Sequence, residues 1–187
     1  MIPIKNKKKS LEATVEEMRI FSSNYIEKYA PSKQQLKTYL LKKYLKAKIL
    51  NTNKKNITDL IDIVLKDLEK NKFINDQFYS QSKAKSLIRR GSSINKIRNY
   101  LMSKGVSHEY VKNTIDEIKE NNQDQDFFSA IKICKKKRIG PARNESNRPL
   151  FYKKDIAVLA RAGFNFGTSK KVMDLESDEY SKIINLL

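Results

Sequence analysis

The stretch Ser93-Ile-Asn-Lys-Ile-Arg-Asn-Tyr-Leu-Met-Ser-Lys-Gly-Val106 recurs in altered form elsewhere in this chain of 187 residues. The segment from Ser32 to Tyr44, Ser-Lys-Gln-Gln-Leu-Lys-Thr-Tyr-Leu-Leu-Lys-Lys-Tyr, follows the same pattern. A weaker copy ends in Leu159-Ala-Arg-Ala-Gly-Phe164. The aligned positions of the first two copies are Ser93 with Ser32, Ile97 with Leu36, Tyr100 with Tyr39, Leu101 with Leu40 and Lys104 with Lys43.

The repeat decides the predicted fold, because self-similar segments build repeated structural units. Apolar residues in and around each copy recur at steps of three and four, the period of an amphipathic helix. The sequence therefore predicts an all-α fold of three tandem three-helix units that form an elongated, curved array. We predict a basic flexible tail over residues 1–12 and units over 13–71, 72–122 and 123–187, the last with a basic loop over 138–150.

Helix ends are marked by residues that cap the free backbone groups. The sequence predicts N-caps at Ser32, Asp76, Ser93 and Ser107, since each side chain can accept a hydrogen bond from an amide of the first turn. Gly91 and Gly105 are predicted to end helices, where the chain commonly turns left-handed.

The third copy departs from the pattern at one core position. Asp155 stands where the second copy has Ile97. We expect Ile156 to take over the apolar contact, within a helix predicted over Tyr152 to Ala162.

The composition favours an acidic partner and argues against several classes of protein. Lys and Arg number 39 against 21 Asp and Glu, a net charge of +18, and nucleic acid is the commonest partner of so basic a chain. The single cysteine, Cys134, excludes an intramolecular disulfide and favours the cytoplasm. No apolar run approaches the ~20 residues that cross a bilayer, so no membrane association is expected.

Catalytic groups are scarce. His108 is the single histidine and is expected to be a solvated residue at a helix start. Cys134 lies among apolar neighbours and is expected to be a buried structural thiol. No phosphate-binding glycine loop of the Gly-x-x-x-x-Gly-Lys type is present. We therefore predict a protein that is not an enzyme and has no catalytic residue, metal or cofactor.

Positive charge is concentrated in particular segments. From Ser80 to Gly105 every charged residue is basic, and from Lys132 to Lys154 only Glu145 opposes the cations. Stacked units would align these cations into a stripe that can follow a phosphate backbone or meet an acidic protein groove. The candidate contacts are Lys83, Arg89, Arg90, Lys96, Arg98, Lys104, Lys136, Lys137, Arg138, Arg143, Arg148 and Lys153.

Several motifs together resemble the RecX family of bacterial recombination regulators. Phe73-Ile-Asn-Asp76 leads into a helix that ends in Arg89-Arg-Gly91, and Tyr100-Leu-Met-Ser-Lys-Gly-Val106 follows. The segment Lys153-Lys-Asp-Ile-Ala-Val-Leu-Ala-Arg-Ala-Gly-Phe164 is similar to the closing repeat of that family. Arg138-Ile-Gly-Pro-Ala-Arg143 looks like a basic loop of some members.

The resemblance implies a three-helix repeat protein without enzymatic activity that acts in homologous recombination, DNA repair and the SOS response. Family members bind the nucleoprotein filament of the RecA recombinase and modulate, usually inhibit, its ATPase and strand exchange. We expect the chain to be a monomer whose partners are that filament and, weakly and in a salt-sensitive manner, single- or double-stranded DNA. Inhibition and stimulation both stay open at this stage.

A second reading is a free-standing basic helical DNA-binding protein of the nucleoid or transcription-factor type. Against it, the second helices carry Tyr and Leu at core spacing and leave few Asn, Gln or Arg positions patterned for base edges.

Overall fold

The computed structural model describes residues 11–46 and 54–187, and the first ten residues of the predicted tail lie outside these ranges. The described residues contain α-helices and no β-strand, which confirms the all-α prediction. None of their helices is long and apolar enough to cross a membrane. The helices are α1 (Val15–Tyr29), α2 (Lys33–Lys46), α3 (Lys54–Lys70), α4 (Asp76–Arg89), α5 (Ile94–Ser103), α6 (His108–Asn121), α7 (Gln125–Lys137), α8 (Arg148–Arg161), α9 (Phe166–Met173) and α10 (Ser177–Leu186).

The chain divides between Tyr79 and Ser80 into two compact units. The division into three repeats and the curved array stay predictions.

In the first unit, α1, α2 and α3 pack on one another around a shared apolar core. The largest side chains with no exposed surface include Met18, Leu36, Leu40 and Tyr44. The Tyr44 hydroxyl donates to Glu17 Oε2 at 3.0 Å, so the buried phenol has a partner. Three ion pairs join the helices at the surface: Arg19 with Asp67, Lys33 with Glu69 and Lys37 with Asp62.

In the second unit, α7, α8, α9 and α10 enclose a core that includes Ile131, Cys134, Leu159 and Val172. Helix α5 packs on α6 and buries Ile97 and Leu101 completely. The aligned residues Leu40, Leu101 and Leu159 therefore all have no exposed surface. The leucine that recurs in the sequence is thus buried in each of the three helices.

The three serine caps are confirmed. The amides of Gln35, Lys96 and Tyr110 donate to Ser32 Oγ, Ser93 Oγ and Ser107 Oγ at 3.2, 3.2 and 3.4 Å. Gly91 and Gly105 follow α4 and α5 with φ of +78° and +74°, as predicted for helix ends.

The predicted cap at Asp76 is wrong by one residue. Asn75 Oδ1 accepts from the Phe78 amide at 3.0 Å, so Asn75 caps α4. Asp76 Oδ1 instead accepts from the Lys33 amide, the first residue of α2, at 2.8 Å. The aspartate thus satisfies a free amide of an earlier helix.

The same arrangement recurs in the second unit. Asp126 Oδ1 accepts from the amide of Ile94, the first residue of α5, at 2.7 Å. Burial raises the pKa of both Asp76 and Asp126, and the accepted amide bonds only partly offset it. We refer to these two contacts as the aspartate junctions.

Helix α8 begins at Arg148, four residues before the predicted start at Tyr152. The cause is Pro149, which in the first turn of a helix loses no hydrogen bond and has a helical φ. Its core face agrees with the prediction in part. Ile156 packs, half-buried, against the core, but Asp155 also keeps its core position, with 1% of its surface exposed.

Candidate functional site

A group of five cations lines a cleft of about 600 Å³ in the second unit. Arg89 and Arg90 come from the end of α4, and three lysines come from the second half of α7. Ile184 and Leu187, in and just after α10, complete the lining. The lysines are Lys132, Lys135 and Lys136. We call this group the cationic cleft.

Local geometry brings the end of α4 against α7. Gly91 follows the two arginines, and its Cα faces α7 so closely that an added Cβ would lie 3.0 Å from both Lys132 Cβ and the Ser129 carbonyl oxygen. Only glycine combines this approach with a φ of +78° at low cost. The absent side chain at Gly91 therefore allows the arginines to lie beside the lysines of α7.

The α10 side of the cleft is held in place by Arg148. Its Nη1 donates to the Leu175 carbonyl at 3.1 Å, and its Nη2 donates to Ser177 Oγ at 2.9 Å and to the Pro141 carbonyl at 2.6 Å. These bonds fix the start of α10 to the loop before α8, while α10 itself packs on α7. The bonds of Arg148 and the packing on α7 thus hold the helix that carries the apolar lining.

The charge of the cleft is not neutralised within the described residues. Arg89, Arg90, Lys135 and Lys136 are exposed and Lys132 is half-buried. None of the five forms an ion pair there, whereas three ion pairs lie in the first unit and one, between Arg143 and Asp155, in the second. Like charges held close together repel one another, so an anion that enters the cleft relieves this repulsion.

Two of the predicted contacts are occupied inside the protein. Arg143 Nε and Nη2 donate to Asp155 Oδ2 and Oδ1 at 2.6 and 3.0 Å, and the Gly140 amide donates to Oδ2 at 2.8 Å. Burial alone would raise the pKa of Asp155, but the bonds from Arg143 and Gly140 outweigh it and lower this pKa. Arg143 and Arg148 therefore hold the basic loop to the core.

The remaining candidates are only partly brought together. Arg89, Arg90 and Lys136 line the cleft, and Lys137 and Arg138 follow it, exposed, at the end of α7. Lys96 and Arg98 are two residues apart on α5 and so point to different sides of that helix. Arg98 Nη1 donates to Asn95 Oδ1 at 3.0 Å. The other candidates, Lys83, Lys104 and Lys153, do not line the cleft.

Lys132 and Lys135 belong to the cleft and are missing from the predicted set. The signal was present, because positions 132, 135 and 136 follow the three- and four-residue spacing of one helix face. The sequence does not indicate that this face meets Arg89 and Arg90, some forty positions earlier in the chain.

The groups considered for catalysis are placed as expected. His108 is exposed at the first position of α6. Cys134 has no exposed surface, and burial followed by the nearby charge of Asp155 raises the pKa of its thiol to about 12. In the part of the chain that the structure describes, no group of His, Cys, Asp and Glu is arranged to hold a metal ion.

Comparison with curated proteins identifies a bacterial relative of this chain. Over 154 residues, the chain is 34% identical to the regulatory protein RecX of Myxococcus xanthus strain DK1622. The alignment covers 81% of this chain and 81% of that protein. No family model matches the sequence, and no solved structure matches the fold.

Proposed function

This chain belongs to the RecX family of regulatory proteins, and from that premise we propose that it binds the nucleoprotein filament of a RecA recombinase and inhibits ATP hydrolysis and strand exchange. Two findings support the proposal: the family of the chain and the cationic cleft. A filament of recombinase on DNA presents phosphates and acidic side chains, and both attract clustered cations. We further propose that the protein does this without catalysis of its own.

The residues that we propose to contact the filament are fewer than those predicted from the sequence. Arg143 and Arg148 already have internal acceptors, and breaking those bonds to reach a partner would cost stability. We therefore assign filament contact to the cleft cations and the exposed cations that follow them on α7. The assigned residues are Arg89, Arg90, Lys132, Lys135, Lys136, Lys137 and Arg138.

The test is the DNA-dependent ATPase of the cognate recombinase on single-stranded DNA, titrated with this protein. We expect inhibition at less than one molecule per recombinase protomer, because a filament regulator affects several protomers at once. The variant Arg89→Gln with Arg90→Gln is expected to need about tenfold more protein for half inhibition, since two charged contacts of about 0.7 kcal/mol each are lost.

A matched variant, Lys170→Gln with Lys171→Gln, removes the same charge from exposed positions of α9 outside the cleft. It should inhibit as the unmodified protein does. Equal losses in the two double variants would show that net charge, and not the cleft, carries the effect. No inhibition by the unmodified protein at micromolar concentration would refute the proposed function.

Direct binding to naked duplex is the result that would favour a free-standing DNA-binding protein. We expect such binding to be weak and without sequence preference, because Ile97 and Leu101 turn the apolar side of α5 into the core. A gel-shift experiment with duplexes of different sequence, without recombinase, separates the two functions. Tight, sequence-selective binding would replace the filament proposal.

A further inference from the structure

We propose that the cationic cleft binds an acidic protein segment that carries an aliphatic side chain, in preference to the DNA backbone. The inference rests on the proposed function, because it takes the filament partner to contact the cleft through protein. It specifies the chemistry of that contact.

The cationic side of the cleft favours a partner that carries several negative charges close together. Arg89 at the end of α4 and Arg90 just after it line the cleft with three lysines of α7, and none of the five has an ion pair in the described residues. Arginine binds a carboxylate through two parallel hydrogen bonds. Lysine adds a positive charge on a flexible side chain, which can move toward a nearby carboxylate. In an extended segment, Asp or Glu at alternate positions places carboxylates on one side and the residues between them on the other, so one segment can present carboxylates to the cations and an aliphatic side chain to the apolar lining.

The apolar side of the cleft favours an acidic protein segment over a nucleic acid. Ile184 and Leu187 form part of the lining, and 47% of the Leu187 surface is exposed. Single-stranded nucleic acid gains much of its affinity from bases that stack on aromatic rings. Among the residues that the structure describes, no aromatic side chain lines this cleft. An aliphatic wall favours a Leu, Ile or Val side chain, which gains free energy when it is buried there.

The size of the cleft agrees with a short peptide segment. The cleft is open to solvent, and its volume of about 600 Å³ leaves room for several side chains of a segment that lies along it. A phosphate group alone would leave most of this space to water. The apolar residues would then have no role in binding.

The test uses the full chain and three probes with the same fluorescent label, measured by anisotropy at low salt. The probes are an octapeptide of alternating glutamate and leucine, octaglutamate, and an eight-nucleotide oligothymidylate. We expect the glutamate–leucine peptide to bind more tightly than the other two. Arg89→Gln with Arg90→Gln should weaken it about tenfold, and Lys170→Gln with Lys171→Gln should leave its affinity unchanged.

Leu187→Ser tests the apolar part of the cleft, because Leu187 is about half exposed and is not among the residues of the core cluster. We expect about a fivefold loss for the glutamate–leucine peptide and no change for octaglutamate. Circular dichroism of each variant checks that the helices are intact.

Three results would overturn the inference: tighter binding of oligothymidylate, peptide binding that does not depend on Arg89 and Arg90, or no saturable peptide binding. The two proposals fail separately. If the protein inhibits the recombinase but does not bind the peptide, the inference is wrong and the proposed function stands. If it binds the peptide but leaves the ATPase unchanged, the proposed function is wrong.

Discussion

At the scale of single residues, Asp155 shows how a charge can replace an apolar side chain in a core. The aligned positions in α2 and α5 hold Leu36 and Ile97, both without exposed surface. Asp155 keeps the position and is satisfied by three hydrogen bonds from Arg143 and Gly140. The substitution thereby ties the loop before α8 to the core, which a leucine at this position would not do.

Removal of one charge of the Arg143–Asp155 pair should destabilise the protein strongly. For Asp155→Asn we expect a loss of about 3 kcal/mol in the free energy of unfolding, because Arg143 keeps its charge but loses its carboxylate. The double variant Asp155→Leu with Arg143→Met removes both charges and places an aliphatic residue at position 155, as in α2 and α5. It should therefore cost less free energy of unfolding. Urea unfolding checks both. A smaller loss in Asp155→Asn than in the double variant would contradict this account.

The same pair should make stability depend on acid pH. The pKa of Asp155 lies below its ordinary value of 3.8, so at low pH the unfolded chain binds the proton more readily than the folded one. The stabilisation is complete above the unfolded pKa and is lost as the pH falls through the folded pKa. Between pH 6 and about pH 2.5, the unfolding free energy of the unmodified protein should therefore fall more than that of Asp155→Asn. Parallel curves would show that the pair contributes nothing.

The buried thiol provides a simple probe of folding. Cys134 has no exposed surface and burial raises its pKa to about 12, so the reactive thiolate is scarce in the folded state. We expect an aromatic disulfide reagent at pH 8 to label it only as fast as the second unit opens. The rate should rise steeply with urea. Complete labelling of the folded protein within seconds would contradict the buried position.

At the scale of helices, the aspartate junctions tie the starts of α2 and α5 to the first turns of α4 and α7. The accepted amides belong to Lys33 and Ile94, which are among the free donors at a helix start. Because burial raises the pKa of both aspartates, we expect the hydrogen bond, and not the negative charge itself, to stabilise these contacts.

Two substitutions at Asp126 separate the bond from the charge. Asp126→Asn keeps an oxygen that can accept from the Ile94 amide, and we expect a change of less than about 0.5 kcal/mol in the free energy of unfolding. Asp126→Ala leaves that amide without an acceptor and should cost about 1 to 2 kcal/mol. Thermal or urea unfolding measures both. Equal losses would indicate that the charge is what matters.

The elements show where sequence patterns were sufficient and where they were not. The predicted serine caps give the starts of α5 and α6 correctly, since a cap depends on neighbours within four residues. The Asp76 junction was missed because its acceptor and donor are 43 residues apart. For the same reason the sequence predicted which arginines the loop carries, but not that Arg143 and Arg148 point inward.

At the scale of the whole molecule, the two units differ in how their cations are paired. In the first, three cations are paired with carboxylates of α3. In the second, the described ion pair holds a loop, and the cleft cations are unpaired within the described residues. The +18 net charge therefore indicates an acidic partner in general, while the cleft indicates a place for it.

Filament binding should consequently weaken with salt. We expect the protein concentration for half inhibition of the recombinase to rise at least about tenfold between roughly 50 and 200 mM salt. The Arg89→Gln, Arg90→Gln variant should show a smaller rise, because fewer charged contacts remain to be screened. The measurement is the same ATPase titration at several salt concentrations. An unchanged salt dependence in this variant would place the electrostatic contact elsewhere.

The aspartate junctions also bear on how the protein would respond to mechanical force. Each is one short bond between segments that are separated in the chain by a whole helix or more, so stretching the polypeptide from its termini loads these bonds directly. In an optical trap, the molecule should yield in discrete steps instead of one rupture, and Asp126→Ala should lower the force of one step and leave the others as they were.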